Sequence, residues 1–190
     1  MQMFARNSHA DRTNGQVALL RVCAVFLAIL VAPLQAHAGP MADDVYILRG
    51  GFGVFSTGLD GLRKQLKENG VNASLVSYQS WRRVARTIAE NQGKYGRRPV
   101  VIIGHSLGGN NAVLAANELK KKGIQVDLIV SFASTAPMTV PSNVRNVLNF
   151  YFKSGGWGGF FTGASDFRGS LNNVDLSNET GLNHFNVDDD

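Results

Sequence analysis

The chain has 190 residues, 44% hydrophobic and 17% charged, and a formal net charge of +5. That is the size of one ordinary globular domain with a single core. The positive excess is dispersed over Arg63, Lys64 and Lys67, over Arg82, Arg83 and Arg86, and over Lys120, Lys121 and Lys122. No RNA- or DNA-binding motif accompanies these clusters. They read as solvated helix faces, which points away from a nucleic-acid partner and leaves open only weak attraction to an anionic surface.

In chain order, a positive leader comes first, with Arg6, Arg12 and Arg21. Val22 to Ala32 is apolar throughout, Pro33 breaks the run, and Ala36-His37-Ala38 precedes Gly39. A charged region, a short apolar region and a small-x-small site together predict a secretory signal peptide over residues 1–38. As a helix the apolar run spans about 16 Å, roughly half a bilayer core, so no stable membrane anchor is expected. The mature domain would be 39–190, secreted or periplasmic. Cys23 is the one cysteine, and it lies in the leader. The mature chain therefore has no thiol, disulfide or cysteine metal site, and no metal or cofactor is expected. A core of about 150 residues must hold the fold unaided.

Val45–Arg49 reads as a buried strand, followed by a Gly50-Gly51-Phe52-Gly53 loop. Leu59, Leu62 and Leu66 recur at helical spacing until Asn69-Gly70. Ala73–Tyr78 is a second strand. Ser80 is a candidate cap for a helix whose apolar positions are Trp81, Val84, Ala85 and Ile88, with loop from Gly93 to Arg98. Pro99–Gly104 is the most hydrophobic strand. A helix runs from about Gly108 to Lys122, and Gly123 ends it. Further strands are expected at Val126–Phe132 and Val144–Phe152, and a short final one at Asn172–Leu176. Strands apolar on both faces that alternate with helices predict an α/β fold: a mostly parallel sheet with helices on both faces. The Gly- and aromatic-rich stretch 155–161 reads either as a substrate-facing loop or as a connection.

Gly104-His105-Ser106-Leu107-Gly108 has the spacing Gly-x-Ser-x-Gly. A strand that turns at once into a helix strains its apex residue, and glycines two before and two after leave room for the backbones to cross. The β-branched run Val100–Ile103 before it and the Ala-rich helix after it supply that context. Ser106 is therefore the candidate nucleophile. An oxyanion needs two donors, and the candidates are the backbone N–H of Leu107 and that of Gly51 in the loop after the first strand. The mature chain has two histidines. His105 adjoins Ser106, where neighbouring side chains diverge, and reads as a packing residue. His184 remains as the candidate base, to take the Ser106 proton and return it to the leaving group. The carboxylates between Ser106 and His184 are Glu118, Asp127, Asp166, Asp175 and Glu179. Glu118 lies on the elbow helix and Asp127 at the amino end of a strand. Asp166 leads as the orienting acid, with Asp175 second, and a dyad with no acid stays open.

On the elbow, the Gly50-Gly51 loop and the late histidine, residues 43–187 resemble the α/β-hydrolase superfamily, in particular its small lipase, esterase and thioesterase members. Gly-His-Ser-Leu-Gly-Gly at 104–109 is the specific part. The resemblance implies a minimal fold without a large lid, with Ser106 as nucleophile, Leu107 and Gly51 as oxyanion donors and His184 as base. The implied partner is a small acyl ester or thioester. Two departures stand out. The loop after the first strand reads Arg49-Gly50 where His-Gly is common, and Ala133-Ser134 occupies the place where some lipases carry an Asp-Pro acid. Phe52, Phe55, Trp157, Phe160 and Phe161 are candidates for an acyl pocket or for core. The competing class is a non-catalytic binding protein on a hydrolase scaffold, with amidase or peptidase activity a third option.

Overall fold

A computed structural model describes residues 45–51, 58–154 and 158–189. The leader, its expected cleavage site after Ala38, and Phe52, Phe55 and Trp157 lie outside the described residues.

Six strands form one parallel sheet: β1 (Val45–Arg49), β2 (Ala73–Ser77), β3 (Val101–His105), β4 (Val126–Phe132), β6 (Val144–Tyr151) and β8 (Ser170–Asp175). Their order is β2-β1-β3-β4-β6-β8. Two three-residue strands, β5 (Met138–Val140) and β7 (Phe161–Gly163), pair in parallel as a separate ribbon. Among the described residues three α-helices flank the sheet: α1 (Gly58–Glu68), α2 (Trp81–Tyr95) and α3 (Leu107–Lys121).

The period-2 alternation of the strands divides the core into two faces. Tyr46, Leu48, Ile102, Ile129 and Val147 point to one, where they meet Val84, Ala85 and Ile88 of α2 and Ala112, Val113, Ala116 and Leu119 of α3. The ribbon adds Val140 and Phe161 to this face. On the opposite face Val45, Ile47, Val101, Ile103 and Leu128 cover Leu59 and Leu66 of α1. Farther along that face Leu148 and Phe150 pack with Leu176 and Val187 of the C-terminal segment. Helices thus cover both faces, as the apolar strands require.

The boundaries differ from expectation in a few places. The helix at 81 continues through Gly93 and ends at Gly96, whose φ of 77° suits glycine. Ser80 stands at its N-cap without capping it by side chain, and Arg83 donates to its Oγ at 3.2 Å. The strand expected to reach Tyr78 turns into a 3₁₀ turn at Tyr78–Ser80.

Strand order fixes where a site can form. From β1 the chain moves one way to β2 and returns past β1 to β3. Neighbouring connections therefore leave the carboxyl ends of β1 and β3 in opposite directions. Such a switch point opens a crevice outside the sheet edge, the usual ligand position in open α/β sheets. The Gly50-Gly51 loop and Ser106 both stand at this edge.

Candidate active site

Ser106 sits between β3 and α3 with φ 56° and ψ −124°. For a residue with a side chain this is a strained conformation, and the surroundings hold it. Its N–H donates to the Phe132 carbonyl at 2.8 Å, and its own carbonyl accepts from Gly109 at 3.0 Å. The glycines flanking it are required by contact. A Cβ on Gly104 would stand 2.2 Å from the Gly108 oxygen, and one on Gly108 would stand 2.1 Å from the Leu48 oxygen. The elbow works because strand, helix and β1 pass at backbone distance.

His184 reaches this apex from the C-terminal segment. Nε2 of His184 lies 3.1 Å from Oγ of Ser106, within hydrogen-bond reach. The ring is buried, which pushes its pKa down from 6.5 to about 4, with the nearby His105 charge adding to the effect. The imidazole is therefore neutral at ordinary pH and free of the proton that would block its acceptance of another. Asp189 helps fix the segment, because its Oδ1 accepts the Gly58 N–H at the start of α1 at 2.9 Å.

The two segments that carry the candidate oxyanion donors lie side by side. Leu107 is the first residue of α3, so its N–H has no intrahelical acceptor and points out of the helix N-terminus. A Cβ on Gly51 would stand 3.2 Å from Cδ1 of Leu107, which puts the β1 loop directly against the elbow.

Asp166 is not at this site, contrary to expectation. Its Oδ2 accepts from Lys120 Nζ at 2.9 Å and from Ser142 Oγ at 2.8 Å. Lys120 is in the last turn of α3, and Ser106 precedes the first. At 1.5 Å per residue those ends are roughly 20 Å apart. Asp166 lies at the amino edge of the sheet, and Lys120 and Ser142 hold its carboxyl below the usual range. Asp175 ends β8 at the carboxyl edge, but its Oδ1 accepts from the N–H groups of Lys153 and Ser177 and from Ser177 Oγ. Neither is bonded to His184. The aromatic candidates divide as well. Phe161 is fully buried in the core, whereas Phe160 is exposed and meets Tyr151 edge-on at 5.6 Å.

The expectation for His105 as a mere packing residue needs revision. Nε2 of His105 donates to the His184 backbone carbonyl at 2.7 Å, since a carbonyl can only accept. Its Nδ1 faces Oδ1 of Asp188 at 3.7 Å, and both side chains are buried. Asp188 follows His184 in the chain, outside the Ser–acid–His order in which an acid is expected.

Fold and site together define an α/β-hydrolase-fold domain: a parallel sheet, a strained serine at a strand–helix elbow at the switch point, and a histidine within reach. Residues 62–147 match the family model described as Thioesterase domain, a member of the α/β-hydrolase superfamily. The matched stretch contains Ser106 and stops before His184. It supports hydrolysis of thioester or ester bonds. No curated protein matches the chain. Among the described residues no helix is long and apolar enough to cross a membrane.

Proposed function

We propose that this protein, exported and freed of residues 1–38, hydrolyses a small acyl thioester or ester through an acyl-enzyme on Ser106. The observation that carries the reading is the 3.1 Å approach of His184 Nε2 to an Oγ held at a strained elbow. In the first step Ser106 Oγ attacks the acyl carbonyl carbon while its proton passes to Nε2 of His184. Negative charge develops on the carbonyl oxygen, and the N–H groups of Leu107 and Gly51 receive it. The carbon–sulfur or carbon–oxygen bond then breaks, and the Nε2 proton goes to the leaving thiolate or alkoxide. A water molecule repeats the sequence on the acyl-serine, gives its proton to His184, and releases the acid.

The test is a panel of acyl-CoA analogues and acyl nitrophenyl esters on the purified mature protein. Saturable thiol or nitrophenol release is expected, and its absence across the panel would contradict the proposal. One observation favours a second reading, a binding protein on a hydrolase scaffold: neither Asp166 nor Asp175 orients His184. In that case acyl ligands would bind without turnover.

A further inference from the structure

Ser106 is not alone in its strain. Among the described residues two that are not glycine have left-handed backbones, Ser106 at φ 56° and Ala133 at φ 46°. They occupy matching positions on neighbouring strands. His105 of β3 and Phe132 of β4 face each other in register, and each strained residue is the next one along. Alanine gains nothing from this conformation, because its Cβ crowds the carbonyl that follows. Such strain persists where the surroundings hold it, and it gathers at functional sites. The groups that hold Ala133 can be named. Its N–H donates to the Phe150 carbonyl at 2.8 Å. The residues after it are tied to the first turn of α3 by the buried side chain of Asn110. Oδ1 of Asn110 accepts from the Thr135 N–H at 3.0 Å and from Thr135 Oγ1 at 2.6 Å, and Nδ2 donates to the Ala136 carbonyl at 3.1 Å. An N–H can only donate and a carbonyl can only accept, so these partners fix which way the amide points.

We propose that Asn110 is a positioning residue for Ser106: it locks the loop after β4 against the nucleophile's own helix. The bonds close a ring. Ser106 N–H donates to the Phe132 carbonyl at 2.8 Å. From Phe132 the chain runs through Ala133 and Ser134 to Thr135, which is bonded to Asn110, and the first turn of α3 leads from Asn110 back to Ser106. Neither strained residue can relax without breaking a member of this ring. The packing is as close as the bonding. A Cβ on Gly109 would stand 2.5 Å from Ser131 Oγ and 3.0 Å from Ser134 Cβ, so α3 starts directly against the end of β4. Asparagine is a weak helix former, because its amide competes for backbone partners. Here those partners belong to the neighbouring loop, which accounts for its place in the first turn. For its consequence the inference rests on the reading of Ser106 as nucleophile. A reacting group displaced by about 1 Å can lose about a hundredfold in rate.

Hydrogen exchange tests the ring without any substrate. In Asn110→Ala the amides of Ser106 and Ala133 should exchange faster, and their gain should exceed that of Ile47, a buried residue of β1 outside the ring, by at least about tenfold. Equal gains at all three would mean general loosening and would overturn the proposal. Turnover is the second arm, read with a short-chain nitrophenyl ester well below the melting temperature. Asn110→Ala should lower kcat by about ten- to a hundredfold and change KM by less than about twofold, because Asn110 is buried and acts through Ser106. An unchanged kcat in the folded variant would contradict the positioning role. Thr135→Val and Thr135→Ser decide the matter if Asn110→Ala does not fold. Both change little bulk, and the serine keeps a hydroxyl for Asn110 to accept from. Thr135→Val should show the same selective exchange, with Thr135→Ser closer to the parent, and the reverse order would count against the ring. If the unsubstituted protein is inert to every acyl substrate while the exchange is selective, hydrolysis fails and the ring stands.

Discussion

At the residue scale, His184 must be neutral when substrate arrives, and burial secures this. Its folded pKa of about 4 is depressed first by desolvation and then by the charge of His105. The proton-accepting form therefore predominates above about pH 4. The acid limb of kcat/KM should lie near pH 4, and an initial-rate profile from pH 3 to 8 measures it. A limb at 6.5 or higher would mean that the imidazole is solvated in the working enzyme. Asp166 gives the opposite kind of prediction. Its ion pair with Lys120 is solvent-exposed, and such pairs contribute little to stability. Asp166→Asn should leave kcat/KM within about twofold of the parent and the melting temperature nearly unchanged. A large loss of turnover would return Asp166 to the chemistry.

The serine was legible in the sequence because its constraint is local. A strand, a sharp turn and a helix within a few residues demand glycine at two fixed offsets. The acid was not legible in the same way, because the function of a carboxylate depends on which sheet edge its loop reaches. The reason Asp166 fails is nevertheless physical. β8 runs parallel to β6, so residues just before Ser170 must lie at the amino edge, away from Ser106. Applied strictly to the final strand, the parallel-sheet expectation would have placed Asp175, not Asp166, on the site's edge.

At the element scale, the elbow depends on backbone crossing, and its glycines can be tested one by one. Gly108→Ala would drive a Cβ to 2.1 Å from the Leu48 oxygen, with no flexible side chain to yield. We expect destabilisation of about 3 kcal/mol, which corresponds to a Tm lower by roughly 6–12 °C for a domain of this size. Calorimetry on the variant measures it, and an unchanged Tm would show that β1 and the elbow do not pass as closely as described. Long periodic elements were readable, since burial on one or both faces imprints itself over many residues. The β5–β7 ribbon was not, because three residues carry no period to detect. The extension of α2 through Gly93 shows tertiary packing overriding a weak helix former.

At the scale of the whole molecule, the site is assembled from the start, the middle and the end of the described chain. The carboxyl edge at β1 and β3 supplies the elbow and the Gly50-Gly51 loop. The last residues then return over the opposite face to deliver His184, anchored by Leu176, Val187 and the Asp189 contact to α1. Export belongs to this scale too. Cleavage between Ala38 and Gly39 is expected, and N-terminal sequencing of the periplasmic or supernatant protein checks it, a chain beginning at Met1 being the contrary result. The central claim, that Ser106 is a nucleophile activated by His184, is tested most directly by covalent labelling. The folded protein should react with a fluorophosphonate to give a single adduct, mapped by mass spectrometry to Ser106. The adduct should be lost in Ser106→Ala and formed at least about a hundredfold more slowly in His184→Asn, the range over which a general base contributes. An unlabelled folded protein, or an adduct on another residue, would contradict the account.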